Sequence, residues 1–362
     1  MSEPFRISAF ELGLTYTVDA FDERSVERAK EIWSRCMAPE GTTAEMQLSM
    51  TEASYTQEQL QRAVVSTATV TFIDNCDDKF FLVHAAVVAQ PETGECIAFV
   101  GRSGAGKTTL ATALGRHFGY VSDETLAVHL PSGQVFAYPK PLLVLDADAT
   151  EKRAVGPDEL GLVSVSGDLK LKAVFLLDRQ PGHKGAPTVS RVGIAESIEK
   201  LIPEVSHLGR RANPLQDVLR FLDWGGGITK VTYSEAEQLV DVVADRFANE
   251  PEQVYLDVLC PEPATLKPGE ALIAPHHIAA LQPQDCAYVG EEFVVFNDNQ
   301  VRILSQLAAV VWEAAREVTS QGKFLRELVA ELNDGSVAED LMTARIKETA
   351  EELQRIGLIQ FG

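Results

Sequence analysis

Apolar and polar positions over the first two thirds of the chain follow two different periods, which predicts a mixture of strands and helices. Runs rich in Val, Thr, Phe and Ile favour strands, and they occupy 14–21, 64–75, 79–90, 96–100, 126–130, 134–139 and 171–178. Apolar residues recur at helical spacing in 23–36, 196–205, 213–224 and 234–248. Together these patterns predict an α/β domain over residues 1–248.

The pattern changes after residue 248. Residues 249–270 contain four of the 17 prolines and show no helical period, so we predict a linker over 249–265. The remaining segment, 266–362, has strand-like runs at 271–275 and 291–297, followed by helical patterns at 300–317, 323–333 and 338–357. This segment predicts a second, smaller α+β domain.

The strand-like run 96–100 leads directly into a glycine-rich loop. Residues 101–108, Gly-Arg-Ser-Gly-Ala-Gly-Lys-Thr, match the P-loop pattern in full, and a helical pattern follows them. Glycines let successive backbone N–H groups face one anion, and the helix N-terminus adds the positive end of its dipole. We therefore predict a nucleotide site formed by Gly101, Arg102, Ser103, Gly104, Ala105, Gly106, Lys107, Thr108 and Thr109.

Within this site, Lys107 is expected to contact the β- and γ-phosphates of ATP, and Thr108 is expected to bind Mg²⁺. Asp123 and Glu124 follow the short strand-like run "GYVS". In a parallel-type sheet beside the loop, that strand end places a carboxylate near the metal and the γ-phosphate. There it binds Mg²⁺ or accepts a proton from a hydroxyl group. The alternative is a solvated acidic turn.

Charge and composition limit the expected partners and location. The chain has 362 residues, 45% of them hydrophobic, and a formal charge of −21 that argues against nucleic acid and anionic membranes as partners. It contains no run of 18 apolar residues and no signal-peptide pattern at its N-terminus, and its five cysteines are scattered. We therefore expect a cytoplasmic protein without nucleic-acid binding or membrane insertion.

The segments "LVHAAVV", "IAFVGRSGAGKTTL", "GYVSDE" and "FAYPKPL" together resemble the HPr kinase/phosphorylase family. The resemblance implies a P-loop domain of the HPr kinase/PEP carboxykinase type. It assigns Asp123 the role of general base toward a serine hydroxyl, Glu124 a role at the metal, and His84 a place beside the reacting phosphate. Without the resemblance, His84 in its apolar run is more typical of a hydrogen-bonded core histidine. The family's Glu-x-Arg-Gly-x-Gly signature is missing, since the nearest segment, 157–166, lacks Arg-Gly.

The end of the chain resembles the PqqD-like family. The resemblance rests on Asn297, Ala308, Trp312, Leu325, Leu328, Leu353 and the ending Gly357-Leu358-Ile359. It implies that 266–362 binds a leader peptide, which adds a strand to a sheet edge and packs against the last helix. From the residues alone, the same positions are the core of a small winged-helix-like domain, and this alternative stays open.

The combined expectation is an ATP- and Mg²⁺-dependent kinase that phosphorylates a serine or other hydroxyl on a peptide or protein recruited by 266–362. One alternative is a kinase that acts on a small hydroxyl compound. Another is a non-catalytic scaffold that binds a nucleotide and a peptide. The sequence leaves open whether pyrophosphate replaces ATP as the donor. Since the related HPr kinases are hexamers, a homo-oligomer is compatible with the resemblance.

Overall fold

The structure is a computed structural model that describes residues 5–18, 21–38, 46–50, 55–146, 149–249, 257–267, 269 and 274–362. The predicted linker therefore falls only in part on described residues, and most of the strand predicted at 271–275 lies outside them. The chain forms two compact units. The first comprises Met1–Gly193, Pro203–His207 and Arg220–Val254, and the second comprises Ile194–Ile202, Leu208–Leu219 and Tyr255–Gly362.

Each of the two units contains both helices and strands, so the predicted mixed α/β class is confirmed. The helices are α1 (Glu23–Ile32), α2 (Gln57–Asn75), α3 (Lys107–Leu114), α4 (Ile194–Leu201), α5 (Pro214–Trp224), α6 (Leu239–Ala248), α7 (Gln306–Ala314), α8 (Gln321–Leu332) and α9 (Glu339–Arg355). Among the described residues, no helix has both the length and the apolar character that crossing a membrane requires.

The strands of the first unit are β1 (Phe5–Ala9), β2 (Leu12–Val18), β3 (Met46–Met50), β4 (Phe80–Ala89), β5 (Glu95–Val100), β6 (Gly119–Ser122), β7 (Thr125–His129), β8 (Gln134–Phe136), β9 (Leu142–Val144), β10 (Arg153–Val155), β11 (Leu169–Arg179), β12 (Thr188–Arg191) and β13 (Ile228–Tyr233). Those of the second unit are β14 (Val258–Leu259), β15 (His277–Ala280), β16 (Asp285–Val289), β17 (Glu292–Asn297), β18 (Gln300–Leu304), β19 (Thr319–Ser320) and β20 (Ile359–Phe361).

An eight-stranded sheet forms the centre of the first unit. Its order is β12-β13-β11-β5-β4-β7-β8, and β6 pairs with β4. Strand β11 is parallel to β5 and β13, whereas β4 is antiparallel to β5, β6 and β7. The sheet beside the loop is therefore mixed and not of the predicted parallel type. Two antiparallel steps nevertheless return β6 to the direction of β5, so both strands end at the same edge of the sheet.

Strand β4 determines where the polar residues of this edge lie. Alternate residues of a strand face the same side. On one face, Phe80 and Leu82 pack into one apolar cluster, while Ala86 and Val88 pack into another. His84 occupies the position between them, opposite Thr125 of β7. The strand thus presents a histidine where neither apolar cluster covers it.

Helix α2 corrects a sequence prediction, because 64–75 was expected to be a strand. A capping box starts the helix: the Thr56 hydroxyl accepts from the Gln59 N–H, and the Gln59 side chain accepts from the Thr56 N–H. Leu60, Val64 and Phe72 recur at helical spacing and are buried in the first of the two clusters. Packing along this face outweighs the strand preference of its Val and Thr residues.

The second unit contains a four-stranded sheet, β14-β16-β17-β18, and a three-stranded sheet, β19-β15-β20. A helix was predicted over 300–317, but its first residues form β18. Asp298 and Asn299 both have positive φ and join β17 to β18 as a two-residue hairpin turn. Ser305 then caps α7, since its hydroxyl accepts from the Ala308 N–H at 3.2 Å.

A buried aspartate caps the N-terminus of helix α5. Asp285 Oδ2 accepts the backbone N–H groups of Leu215 at 2.8 Å and Gln216 at 3.1 Å. These are N–H groups of the first helical turn, which have no partner within the helix itself. Asp285 therefore performs the task of an N-cap residue from a strand that is distant in sequence.

Replacing Asp285 with alanine should lower the free energy of unfolding by about 1–2 kcal/mol, because two helix N–H groups lose their acceptor. Asp285→Asn keeps one acceptor oxygen and should cost less. Urea denaturation followed by circular dichroism measures both. An equal loss for the two variants would contradict the capping role, since it would show that the charge and not the hydrogen bonds stabilises the helix.

Candidate functional site

The predicted phosphate loop connects β5 to α3 as the sequence indicates. Gly104 and Gly106 have φ of 83° and 89°, which is the left-handed region that glycine adopts at little cost. A Cβ added at Gly104 would meet no atom within 4 Å, so the space in front of the loop is open. Because α3 begins at Lys107, its first N–H groups and its positive dipole end face this space.

A cavity of about 550 Å³ lies against the loop. The loop and helix α3 form one side of it, the acid pair another, and the segment around β9 a third. Its lining includes His84, Ser103, Gly104, Gly106, Lys107, Thr108, Thr109, Thr112, Arg116, Asp123, Glu124, Lys140, Leu143, Leu145, Lys152 and Glu237. The structure therefore brings His84, the loop and both predicted acids together around one space.

The side chain of Lys107 turns back toward the backbone of its own loop. Its ammonium group donates to the carbonyl oxygens of Gly101 and Arg102, the latter at 3.3 Å. The side chain is 7% exposed. Burial lowers the pKa of Lys107, and nearby carboxylates, led by that of Glu204, oppose this effect. A buried ammonium held only by carbonyl oxygens is suited to receive the charge of a phosphate group.

Asp123 is held by three side chains. Its Oδ2 accepts from the Thr108 hydroxyl at 3.0 Å, and its Oδ1 lies 3.2 Å from the Tyr120 hydroxyl, which donates to it. The Lys140 ammonium lies 2.9 Å from the same Oδ1. Asp123 is only 4% exposed, so these contacts replace the water that a carboxylate normally needs. Its position and orientation are therefore fixed by the protein.

Lys140 links the two predicted acids. Its ammonium is 3.0 Å from Glu124 Oε2 as well as 2.9 Å from Asp123 Oδ1, and its side chain is 1% exposed. Burial lowers the pKa of Lys140, but the carboxylates of Asp123 and Glu124 together raise it by more, and the pKa ends above its usual range. Lys140 therefore carries a positive charge at neutral pH, at the wall of the cavity.

His84 is paired with a carboxylate that comes from another part of the chain. Its Nδ1 lies 3.5 Å from Glu204 Oε2. Burial and then the charge of Lys107 lower the pKa of His84, and nearby carboxylates raise it by less. His84 is therefore neutral at neutral pH, with a partner that restrains its ring.

Sequence reasoning missed the roles of three of these residues. Glu204 lies in a stretch whose helical pattern gave no indication of a contact with His84. Tyr120 lies in the run before the acids and was interpreted only as part of a strand. Lys140 lies within "FAYPKPL", which contributed to the family resemblance but received no role. A lysine between two prolines, within an apolar stretch that ends a strand, was the one indication available in the sequence.

The oxygen atoms at Asp123 fit a magnesium nucleotide. Thr108 Oγ1 and Asp123 Oδ2 are hard ligands 3.0 Å apart, and Mg²⁺ is usually bound by one or two such ligands together with phosphate oxygens and water. Across the described ranges, no group of three or more His, Cys, Asp or Glu side chains could hold a metal ion. A divalent ion bound to these two oxygens would take its remaining ligands from phosphate oxygens and water.

Comparisons with known proteins add little to this geometry. No protein-family model matches the sequence, and no curated protein matches it. Among solved structures, the HPr(Ser) kinase/phosphatase from Coxiella burnetii is similar over 46% of this chain and 94% of its own, with 12% sequence identity and a TM-score of 0.27. At that score the likeness supports no conclusion, so the function has to be inferred from the cavity residues.

The lowered pKa of His84 predicts how stability depends on pH. Between its lowered pKa and the ordinary value of 6.5, the unfolded chain binds a proton that the folded chain does not, so the His84 contribution is lost as pH falls. Measured by urea denaturation between about pH 7.5 and about pH 5.5, wild type should lose more stability on acidification than His84→Gln. Parallel losses in the two proteins would contradict the shift.

Proposed function

We propose that this protein is a kinase that transfers the γ-phosphoryl group of ATP, with Mg²⁺, to a hydroxyl group. The observation that supports this most is the arrangement of Lys107, Thr108 and Asp123 around one cavity, with His84 at its side. Lys107 and the loop N–H groups suit the phosphates, and Thr108 with Asp123 Oδ2 suits the metal. A buried carboxylate beside a phosphate cradle suits the activation of an acceptor hydroxyl.

In the proposed reaction, the acceptor oxygen forms a bond to the γ-phosphorus as the bond to the β–γ bridging oxygen breaks. ADP leaves with that bridging oxygen, and the hydroxyl proton passes to Asp123. Lys107 holds the γ-phosphate oxygens and balances their charge. Bound Mg²⁺ would neutralise charge between the β- and γ-phosphates. His84, restrained by Glu204, orients the phosphate or the acid.

We further propose that the acceptor is a peptide or protein bound by the second unit. A groove of about 580 Å³ in that unit is lined by Ile278, Gln321, Phe324, Leu325, Lys347, Ala350, Glu351, Gln354, Arg355 and Phe361. Its apolar floor contains Phe324 and Leu325, and β20, an outer strand of its three-stranded sheet, contributes Phe361. An extended peptide can pair with such an edge and place apolar side chains on such a floor.

Two other functions make different predictions. A small-molecule kinase would not require the groove in the second unit for activity. A non-catalytic scaffold would bind ATP and a peptide but transfer no phosphate. The experiments below distinguish these possibilities, because one changes the proposed chemical groups and the other changes the groove.

Asp123→Asn should abolish phosphotransfer while retaining ATP binding, because the amide cannot accept the hydroxyl proton. Lys107→Ala should instead weaken ATP binding itself, by roughly tenfold or more, since one charge-assisted contact to phosphate is lost. Calorimetric titration with a non-hydrolysable ATP analogue and transfer of radiolabelled γ-phosphate to a peptide fraction measure the two effects. Transfer retained by Asp123→Asn would contradict the assignment, and unchanged ATP affinity in Lys107→Ala would argue against the phosphate loop.

Two glutamates on α9 test the groove. Both Glu351 and Glu348 are exposed, but only Glu351 lines the groove. Glu351→Trp should fill part of it and raise the KM for a peptide acceptor by about tenfold, whereas Glu348→Trp, with the same change of charge and volume, should leave the KM unchanged. Steady-state kinetics on an acceptor peptide identified by labelling measures both. Equal KM values in the two variants would favour a small-molecule acceptor.

A further inference from the structure

The buried cation Lys140 has no role in the proposed transfer step, although it touches both acids of the site. Its ammonium lies 2.9 Å from Asp123 Oδ1 and 3.0 Å from Glu124 Oε2. An ammonium taken out of water is costly unless close carboxylates and acceptors compensate it. Two adjacent carboxylates also repel each other unless a cation lies between them. Lys140 and the acid pair therefore depend on one another.

The backbone around Lys140 is tied to the same part of the site. The Tyr138 N–H donates to the carbonyl of Val121 at 3.0 Å, and the Lys140 N–H donates to the carbonyl of Tyr138 at 2.8 Å. The Tyr120 hydroxyl lies 3.2 Å from the Lys140 carbonyl and 3.2 Å from Asp123 Oδ1. Pro139 and Pro141 restrict the chain on both sides. The ammonium is therefore anchored, and a second cation would have to share the acids with it.

The contacts of Lys140 with the two carboxylates determine which of their oxygens remain for a divalent ion. Lys140 contacts one oxygen of each carboxylate, while Asp123 Oδ2 lies next to the Thr108 hydroxyl at 3.0 Å. A second divalent ion between Asp123 and Glu124 would lie next to the Lys140 ammonium, and the two positive charges would repel each other. The geometry thus provides one metal position, beside Thr108, because the Lys140 ammonium already occupies the space between the two carboxylates.

We propose that Lys140 is a positioning residue that serves as a built-in cation of the acid pair. It holds Asp123 and Glu124 together before any ligand binds, and it keeps a divalent ion from the pair unless a nucleotide supplies phosphate oxygens. The proposal rests on the proposed function in one respect, namely that the ligand beside Thr108 is a magnesium nucleotide. The specific consequence is one divalent ion for each bound nucleotide.

The decisive experiment measures Mn²⁺ binding in the absence of nucleotide, by electron paramagnetic resonance of free Mn²⁺ and by calorimetry. Wild type should bind Mn²⁺ only weakly. Lys140→Gln removes the charge but keeps a hydrogen-bond donor, and it should bind Mn²⁺ at least about tenfold more tightly, because two carboxylates are released to the ion. The double variant Lys140→Gln with Glu124→Gln should lose that gain, because it leaves a single carboxylate.

Lys172 supplies a matched control in the same unit. It is also a buried lysine, with its ammonium 3.0 Å from Glu95 Oε1 and 3.1 Å from the Phe247 carbonyl, but it does not line the cavity. Lys172→Gln should affect stability and leave Mn²⁺ binding unchanged. A loss of stability alone therefore cannot account for a gain in Mn²⁺ affinity that is confined to Lys140→Gln.

Three outcomes would overturn the proposal. These are nucleotide-free wild type that binds Mn²⁺ as tightly as Lys140→Gln, an equal gain in Lys172→Gln, and a gain that survives Glu124→Gln. If Lys140→Gln does not fold, the number of Mn²⁺ ions bound by wild type together with a non-hydrolysable ATP analogue tests the proposal instead. One Mn²⁺ per chain supports the proposal, and two Mn²⁺ per chain overturn it. A protein that transfers no phosphate yet shows the predicted nucleotide-free Mn²⁺ behaviour would refute the kinase function and not the role of Lys140.

Discussion

The site depends on the hydrogen bonds that replace water around one buried carboxylate, that of Asp123. Asp123 is almost inaccessible to water, and the side chains of Thr108, Tyr120 and Lys140 surround its carboxylate with hydrogen-bond donors. Each partner comes from a different element: Thr108 from α3, Tyr120 from β6, and Lys140 from the segment between β8 and β9. Each contact replaces part of the hydration that the buried carboxylate has lost, so the hydrogen bonds to Asp123 hold the loop helix, the strand and the segment together.

The parts of this arrangement that are local in sequence were predictable. The glycine-rich loop is specified by glycines at fixed spacing between a strand and a helix, and the hairpin of β4 and β5 follows from two apolar runs joined by a tight turn. The two acids follow β6 directly. Each of these inferences needs only neighbouring residues, because the backbone conformation that they require is set within a few positions.

The parts that failed depend on contacts between distant residues. The Val- and Thr-rich stretch of α2 was expected to be a strand, and only its packing against β1, β2 and α1 makes the helical face favourable. Strand β18 was assigned to a helix because its hairpin turn, Asp298-Asn299, was not recognised. Lys140 and Glu204 were missed because a carboxylate partner far away in sequence leaves no mark on spacing. The composition and periodicity of a sequence indicate which residues are buried, but they do not indicate which buried charged residues contact each other.

The position of His84 on β4 has a consequence for how such a protein can diversify. Two separate apolar clusters flank the histidine on one face of the strand, so each is packed by its own residues. Substitutions that alter the volume of one cluster can be absorbed there, while the other cluster and the strand backbone between them keep their places. His84 therefore lies between two apolar clusters that can change independently of each other. A lineage built on this plan can therefore change the residues on one side of His84 over evolutionary time while the histidine and the glycine-rich loop keep their places.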